Sequence, residues 1–418
     1  MAITRIQLDA AAEALALALR FDRPADAVLH DFFGARRVLG AHDRAFVADA
    51  VYGVLRRKRT VDRLAPDGTP RQLLLAWLVR PAGISVREIA GLLEPGEQEW
   101  IVRVRAAPLD APDIATRAEL PDWVADRLAG MLGEEGLLAA ARGLNQPAPL
   151  DLRVNTLVAQ RDEVLPELAA SGITGVATPH SPVGIRVQGR PPINRHALFT
   201  RGAVEVQDEG SQLLGYLVAP RRNDLVVDFC AGAGGKSLLL GALMRSRGRI
   251  HAFDTSAARL ARLKPRLKRS GLSNLHPHVI AGEWDLRVKR LAGKADRVLV
   301  DAPCSGLGTL RRNPDLKWRQ LPHSVSEMSL KQAAILRAAA GLLKPGGRLT
   351  YATCSLLPEE NEEVVAAFLR EHSEFKILHC GELLGQQGIS IDTGDYLRLW
   401  PHLHGTDGFF AAVIEKSS

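Results

Sequence analysis

Apolar residues in the first hundred positions recur at three- and four-residue intervals. Between Arg5 and Phe21 they fall at Leu8, Ala12, Leu15 and Leu19, and between Arg44 and Arg57 at Phe46, Val47, Ala50, Val51, Val54 and Leu55. Each set is the stripe of one helix face. The same period continues around 70–79 and 84–93, and no strand-like alternation precedes residue 105, so residues 1–105 are expected to form an all-helical domain. Residues 106–122 carry three prolines and little periodicity and read as a linker, with a helix over Trp123–Leu144 completing the segment 106–145. Residues 146–210 change texture: strands are expected at Leu150–Leu157, Gly184–Gly189 and Ala203–Gln207 and a helix at Arg161–Ser171, which makes a small mixed α+β subdomain. From residue 211 to 418, short apolar runs at Leu225–Phe229, Arg249–Phe253, Arg297–Val300 and Arg348–Ala352 alternate with longer helical segments. Fully apolar strands in that rhythm predict an α/β fold, a mostly parallel sheet with helices on both faces, whose ligands bind beyond the carboxyl ends of the strands.

Composition narrows the class. The chain has 418 residues and a formal charge of +7, which is too long for one ordinary core and favours a polyanionic partner. It has no apolar run of about 18 residues that could span a bilayer. Its start moves directly into an amphipathic pattern without the order of a secretory signal, so a cytoplasmic protein without membrane contact is expected. The four cysteines, at 230, 304, 354 and 380, show neither zinc-ligand nor disulfide-framework spacing, and no metal is expected.

The stretch Val226-Val-Asp-Phe-Cys-Ala-Gly-Ala-Gly-Gly-Lys-Ser237 ends an apolar strand in a glycine-rich turn. A Walker phosphate loop would need glycine where Cys230 stands, and the dinucleotide pattern fails at its third glycine, where Ser237 stands. What remains is the physics those patterns share: glycines bring backbone close to a ligand at the start of a helix beginning near Ser237. Asp254 ends the next strand, where an acid would accept hydrogen bonds from ribose hydroxyls. A nucleoside without polyphosphate fits both features, and a nucleotide triphosphatase is disfavoured.

Two further strands end in Asp301-Ala-Pro-Cys304-Ser and Thr353-Cys354-Ser, each placing a thiol at the ligand edge. These motifs, with Pro-Glu-Glu-Asn after the second and Cys230-Ala-Gly-Ala-Gly-Gly-Lys236 before both, resemble the RNA cytosine-5 methyltransferases. Within that group the helical amino-terminal domain resembles the Fmu/Sun (RsmB-type) 16S ribosomal RNA enzymes, which join a NusB-like domain to the catalytic one. The likeness extends to Gln207-Asp-Glu-Gly-Ser-Gln, Arg311-Arg-Asn-Pro-Asp-Leu-Lys-Trp and Asp407-Gly-Phe-Phe. Two departures stand out. Ala233 occupies the place where members usually carry proline, and the family's third cofactor acid could be either Glu283 or Asp285 within Ala281-Gly-Glu-Trp-Asp.

The resemblance implies a Rossmann-like, S-adenosylmethionine-dependent methyltransferase domain that forms 5-methylcytosine, with ribosomal RNA as partner and transfer RNA as the alternative. A non-catalytic RNA-binding or antitermination factor is the alternative from another class, and the intact cysteine pair speaks against it. Carbon 5 of cytosine is a poor nucleophile, so its methylation needs a transient bond at carbon 6, which a thiolate suits. By resemblance Cys354 attacks, Asp301 hydrogen-bonds the ring nitrogen, and Cys304 helps remove the carbon-5 proton. The cofactor is expected against Cys230, Ala231, Gly232, Ala233, Gly234, Gly235 and Lys236, with Asp254, Asp301 and one of Glu283 and Asp285. Arg311, Arg312, Lys317 and Trp318 combine cations with an aromatic ring beside a catalytic loop and are expected to contact RNA. The run Arg259–Arg269, with six Lys or Arg in eleven residues, reads as an RNA track or, slightly favoured, a solvated helix face. The oligomeric state is expected to be monomeric.

Overall fold

The computed structural model describes residues 3–108 and 112–418. Residues 109–111, inside the expected linker, lie outside that description. The chain divides into two units, one formed by residues 1–147 with Thr309–Pro322 and the other by Ala148–Gly308 with His323–Ser418.

In the first unit the described residues preceding Leu150 contain helices and no strand. Thr4 and Thr69 cap their helices, Arg5–Ala18 and Pro70–Val79, through reciprocal bonds with Gln7 and Gln72, which satisfies backbone donors that a helix start leaves open. The periodic apolar positions form the core. Leu8 and Leu15 of the first helix, Val47, Ala50, Val51, Val54 and Leu55 of Ala41–Arg56, and Leu74, Leu75 and Leu78 of Pro70–Val79 are all buried together. Helices at Ala25–Ala35, Lys58–Leu64 and Glu97–Ala106 complete the layer. The expected helix after the linker runs Asp122–Leu144 but is interrupted at Gly133, whose φ of 69° is open to glycine. A short helix, Ile114–Ala118, occupies part of the segment expected to be unstructured linker.

The second unit contains two sheets. The smaller joins β1 (Leu150–Val154), β2 (Gly175–Ala177), β3 (Gly184–Val187) and β4 (Val204–Val206) in the order β2-β3-β1-β4, all antiparallel. The larger holds β5 (Leu225–Asp228), β6 (Arg249–Asp254), β7 (Leu275–Val279), β8 (Ala295–Asp301), β9 (Leu343–Thr353), β10 (Phe375–Leu378), β11 (Tyr396–Leu399) and β12 (Phe409–Lys416). Its order is β10-β12-β9-β8-β5-β6-β7, with β11 also on β12. The strands β5 to β9 are parallel, and β12 enters antiparallel beside β9.

The architecture is a Rossmann-like α/β fold. Strand order reverses at β5, which lies between β6 and β8. Such a switch point opens a crevice beyond the carboxyl ends of the strands. Asp228, Asp254, Asp301 and Thr353 are the residues that end β5, β6, β8 and β9 there.

Candidate active site

The turn after β5 needs its glycines. Gly232 and Gly234 have φ of 56° and 79°, a region that disfavours side chains. A Cβ on Gly234 would also lie 2.2 Å from Cδ1 of Leu263. The following helix, Gly235–Leu243, starts two residues earlier than Ser237. Asp254 is buried and holds this turn, accepting from the Gly232 N–H at 2.8 Å and the Ser256 N–H at 2.7 Å while pairing with Arg259 at 3.1 Å.

A second support comes from the small sheet. Buried Arg153 of β1 donates to the carbonyl of Gly235 and to Oε1 of Gln207, each at 2.5 Å. Arg266 donates to the carbonyl of Ala233 at 2.8 Å and pairs with Glu205 of β4, as does Arg269. Three cations of the run Arg259–Arg269 are therefore engaged in ion pairs with Asp254 and Glu205.

The turn opens on a cavity of about 480 Å³, a size suited to a small ligand. Cys230, Ala231, Gly232, Ala233, Gly235 and Lys236 line it, with Asp254, Asp301, Cys304, Cys354 and Glu283. Gly234 stands behind, against Leu263. Of the two acids left open by the sequence, Glu283 faces the cavity. Asp285 accepts from the N–H groups of Ala281 (3.0 Å) and Arg287 (2.8 Å), and these bonds hold its carboxyl below the usual range.

Both sulfurs open on this cavity, with Sγ of Cys304 and Sγ of Cys354 3.3 Å apart. The hydrogen bond between them, reinforced by burial, pushes the Cys304 thiol well above its ordinary pKa. The Cys354 carbonyl accepts from the Gly308 N–H at 2.8 Å, and the Gly408 N–H donates to the Gly308 carbonyl at 2.8 Å. A Cβ on Gly308 would lie 2.2 Å from the Gly408 carbonyl oxygen, so the chains can approach this closely only at glycine. Lys236 Nζ donates to Oδ2 of Asp301 at 2.7 Å. Burial works against the charge on Lys236, but Asp301 outweighs it and raises the lysine pKa.

Asp228, which sequence patterning did not single out, also lines the cavity. It accepts from Ser237 Oγ through Oδ2, and its Oδ1 is fully buried. Burial raises its pKa to about 7; Asp301 adds to the shift, and the Ser237 bond opposes it. The signal was present, since Asp228 is the acid at which the apolar run before the glycine turn stops. Arg153, Gln207 and Glu205 carried no such signal, because their contacts join segments far apart in sequence.

The expected RNA contacts at 311–318 need correction for two residues. Lys317 is fully buried in the helical unit, where Nζ donates to the Arg56 carbonyl at 3.1 Å and to Oδ1 of Asn145 at 2.9 Å. Burial pushes its pKa down to about 7, against the pull of Glu119. Trp318 packs on the helical core and donates Nε1–H to the Leu55 carbonyl at 2.8 Å, so its ring is not a free stacking surface. Arg311 is buried and Arg312 half-buried in the same segment. The local sequence could not distinguish a cationic loop from a strap closing a core. Lys317→Ala is expected to lower stability by about 3 kcal/mol and to leave the RNA affinity of the folded protein within about twofold. Thermal melting and filter binding check both, and weaker RNA binding at unchanged stability would restore the RNA role.

Comparison with known proteins agrees with this geometry. Residues 215–415 match the model of the family described as 16S rRNA methyltransferase RsmB/F. Residues 120–194 match the RsmF/B-like ferredoxin-like domain. The ribosomal RNA small subunit methyltransferase B of Shewanella oneidensis is 31% identical, over 92% of this chain and 93% of its own. Its namesake from Sodalis glossinidius is 36% identical over 71% of this chain and 66% of its own. Among solved structures, that of PH0851 covers 100% of both chains with a TM-score of 0.81 and 28% identity. A methyltransferase homologue from Pyrococcus horikoshii covers 74% of this chain and 100% of its own, with a TM-score of 0.63 and 28% identity. With relatives this similar across nearly its whole length, and with the catalytic unit and ferredoxin-like segment both matched, the chain belongs to the RsmB/F family of ribosomal RNA small-subunit methyltransferases.

Proposed function

We propose that this protein methylates carbon 5 of a cytosine in small-subunit ribosomal RNA, through a covalent adduct between Cys354 and carbon 6. The observation that carries the reading is the pair of sulfurs 3.3 Å apart on the same cavity as the glycine turn and the Lys236–Asp301 pair. A single thiol could be a small core residue; two thiols converging with an ion-paired carboxylate on one cavity suit addition to an activated pyrimidine.

The cavity residues fit S-adenosylmethionine. Asp254 and Glu283 offer acceptors for ribose hydroxyls and adenine, the turn at 230–236 offers close backbone, and Asp228 on the cavity lining offers a carboxyl for an ammonium group. When bound, this cofactor supplies an electrophilic methyl group on a sulfonium.

The chain's own residues account for the remaining chemistry. Cys354 enters as a thiolate and forms a bond to carbon 6, which pushes the ring's electron pair toward carbon 5 and charge toward the ring nitrogen. The proton that Lys236 shares with Asp301 passes through Asp301 to that nitrogen as charge develops there, and it returns to the pair when the ring is restored. After carbon 5 is methylated, Cys354 is a neutral thioether that no longer opposes ionisation of its neighbour; the Cys304 thiol gives its proton to water, and the thiolate so formed takes the carbon-5 proton. The carbon–sulfur bond then breaks, restoring both the aromatic ring and the Cys354 thiolate. The target base must leave its stack, which costs a few kcal/mol and is least demanding in loops or partly assembled RNA.

Bisulfite sequencing of ribosomal RNA from cells with and without the protein tests the reading. One small-subunit cytosine is expected to resist conversion only when the protein is present. Identical maps, or a protein-dependent site confined to transfer RNA, would overturn the assignment.

A further inference from the structure

The loops that carry the two sulfurs are joined by one buried carboxylate with no part in the chemistry above. Glu360 is fully buried. Its Oε1 accepts from the backbone N–H of Ser305 at 2.7 Å and from Nε2 of Gln332 at 3.1 Å. Its Oε2 accepts from the hydroxyls of Ser305 and Ser355. Ser305 directly follows Cys304 and Ser355 directly follows Cys354, and their hydroxyl oxygens are 3.1 Å apart. Gln332 uses its other amide hydrogen on the carbonyl of Pro303, one residue before Cys304, at 2.9 Å.

A backbone N–H and an amide NH₂ can only donate, so Oε1 is unprotonated, and with two hydroxyls on Oε2 the carboxylate is the form that matches all four donors. A charge taken out of water is retained only when it is bonded in this way. The adjoining residues grip the same strand end. Asn361 accepts from Thr353 Oγ1 and donates to the Ser355 carbonyl at 3.2 Å, and the Tyr351 hydroxyl donates to the Glu360 carbonyl at 2.6 Å.

We propose that Glu360 is a positioning residue that sets the register of Cys304 against Cys354 through Ser305 and Ser355, and whose charge separates the roles of the two sulfurs. The proposal rests on the reading above for the identity of the reaction alone. The negatively charged carboxylate accepts from the backbone N–H of Ser305, on the Cys304 side alone, and opposes ionisation of the Cys304 thiol, after the larger effects of its bond to Cys354, its burial and the Cys354 charge. It favours Cys304 as the group that takes a proton and leaves Cys354 as the sulfur that attacks.

The test uses the full-length protein carrying Glu360→Gln, whose amide cannot accept from all four donors. Single-turnover methyl transfer is expected to fall about 100-fold, the scale of a small misplacement of reacting groups, with S-adenosylmethionine affinity by calorimetry within about threefold. Iodoacetamide alkylation of Cys304 and Cys354, mapped by mass spectrometry across pH, gives a readout that needs neither RNA nor methyl donor and so stays decisive if cytosine is not the substrate. The alkylation midpoint of Cys304 is expected to fall by about one pH unit, a tenfold rise in rate below the midpoint, while that of Cys354 holds. An unmoved Cys304 midpoint, or a parallel rise in both rates without a shift, overturns the proposal. The double variant Ser305→Ala/Ser355→Ala removes both hydroxyl tethers and keeps the charge. It is expected to slow transfer about tenfold, at roughly 1.4 kcal/mol of lost stabilisation per decade, with the Cys304 midpoint still high. A wild-type rate in this variant overturns the proposal even if Glu360→Gln does not fold.

Discussion

Cys304→Ala is expected to accumulate a protein–RNA adduct that survives denaturing electrophoresis, and Cys354→Ala to give neither adduct nor methylated product. The two sulfurs are 3.3 Å apart, so geometry alone gives both access to the same atom of a bound base. What separates them is their surroundings. Cys304 sits where the bond to Cys354, burial and the Glu360 charge all raise its affinity for a proton, which suits a base and hinders a nucleophile. Without Cys304 the carbon–sulfur bond can form and the methyl group can be accepted, but the carbon-5 proton has no acceptor, and elimination stalls. Without Cys354 nothing activates carbon 5, and the rate is expected to fall by more than about 10⁴-fold, the scale of losing a covalent nucleophile. An adduct that accumulates in Cys354→Ala and not in Cys304→Ala would exchange the roles. Adducts in neither variant, with methylation retained in both, would remove the covalent step altogether.

Much of this site was legible in the sequence because its residues sit at the ends of parallel strands. Apolar runs located β5, β6, β8 and β9, and the residues at which those runs stop are Asp228, Asp254, Asp301 and Thr353. A side chain at a strand end has its place fixed by topology, so local pattern suffices. The strands that escaped notice show the converse. β7 reads Leu-His-Pro-His-Val, with polar residues and a proline at an edge position, and β10 to β12 are ordered by antiparallel pairing on β12, a long-range event without local signature. Supports built across distant segments were hidden for the same reason: Arg153 reaches Gly235 across 82 positions, and Glu360 reaches Ser305 across 55. Lys317 was misread because a cation's destination depends on what surrounds it, and its partners, Arg56 and Asn145, lie 261 and 172 residues away.

Asp228→Asn is expected to stabilise the protein at pH 8 and to weaken its grip on the methyl donor. The folded carboxyl titrates near pH 7 against an ordinary value of 3.8, because burial, with Asp301 beside it, disfavours the charged form. As pH rises through 3.8 the unfolded chain releases this proton while the folded one keeps it. The unfolded state is favoured progressively until the folded group also ionises near 7, after which the penalty is constant. Asparagine carries no charge at any pH, so the variant's advantage should be absent near pH 4 and full above pH 7. After allowing for the cost of an amide at the buried Oδ1 position, the gain is expected on the order of 2 kcal/mol, or several degrees in melting temperature. The same substitution removes a carboxyl of the cavity lining that can accept from an ammonium group. A hydrogen bond to a charged group contributes roughly 1.5–3 kcal/mol, so S-adenosylmethionine affinity by calorimetry should fall about 10- to 100-fold. Melting curves at pH 5 and pH 8 decide the first half: a variant no more stable than wild type at pH 8 would show that Asp228 is ionised in the native protein without penalty. Unchanged cofactor affinity would show that the ammonium is held elsewhere on the turn.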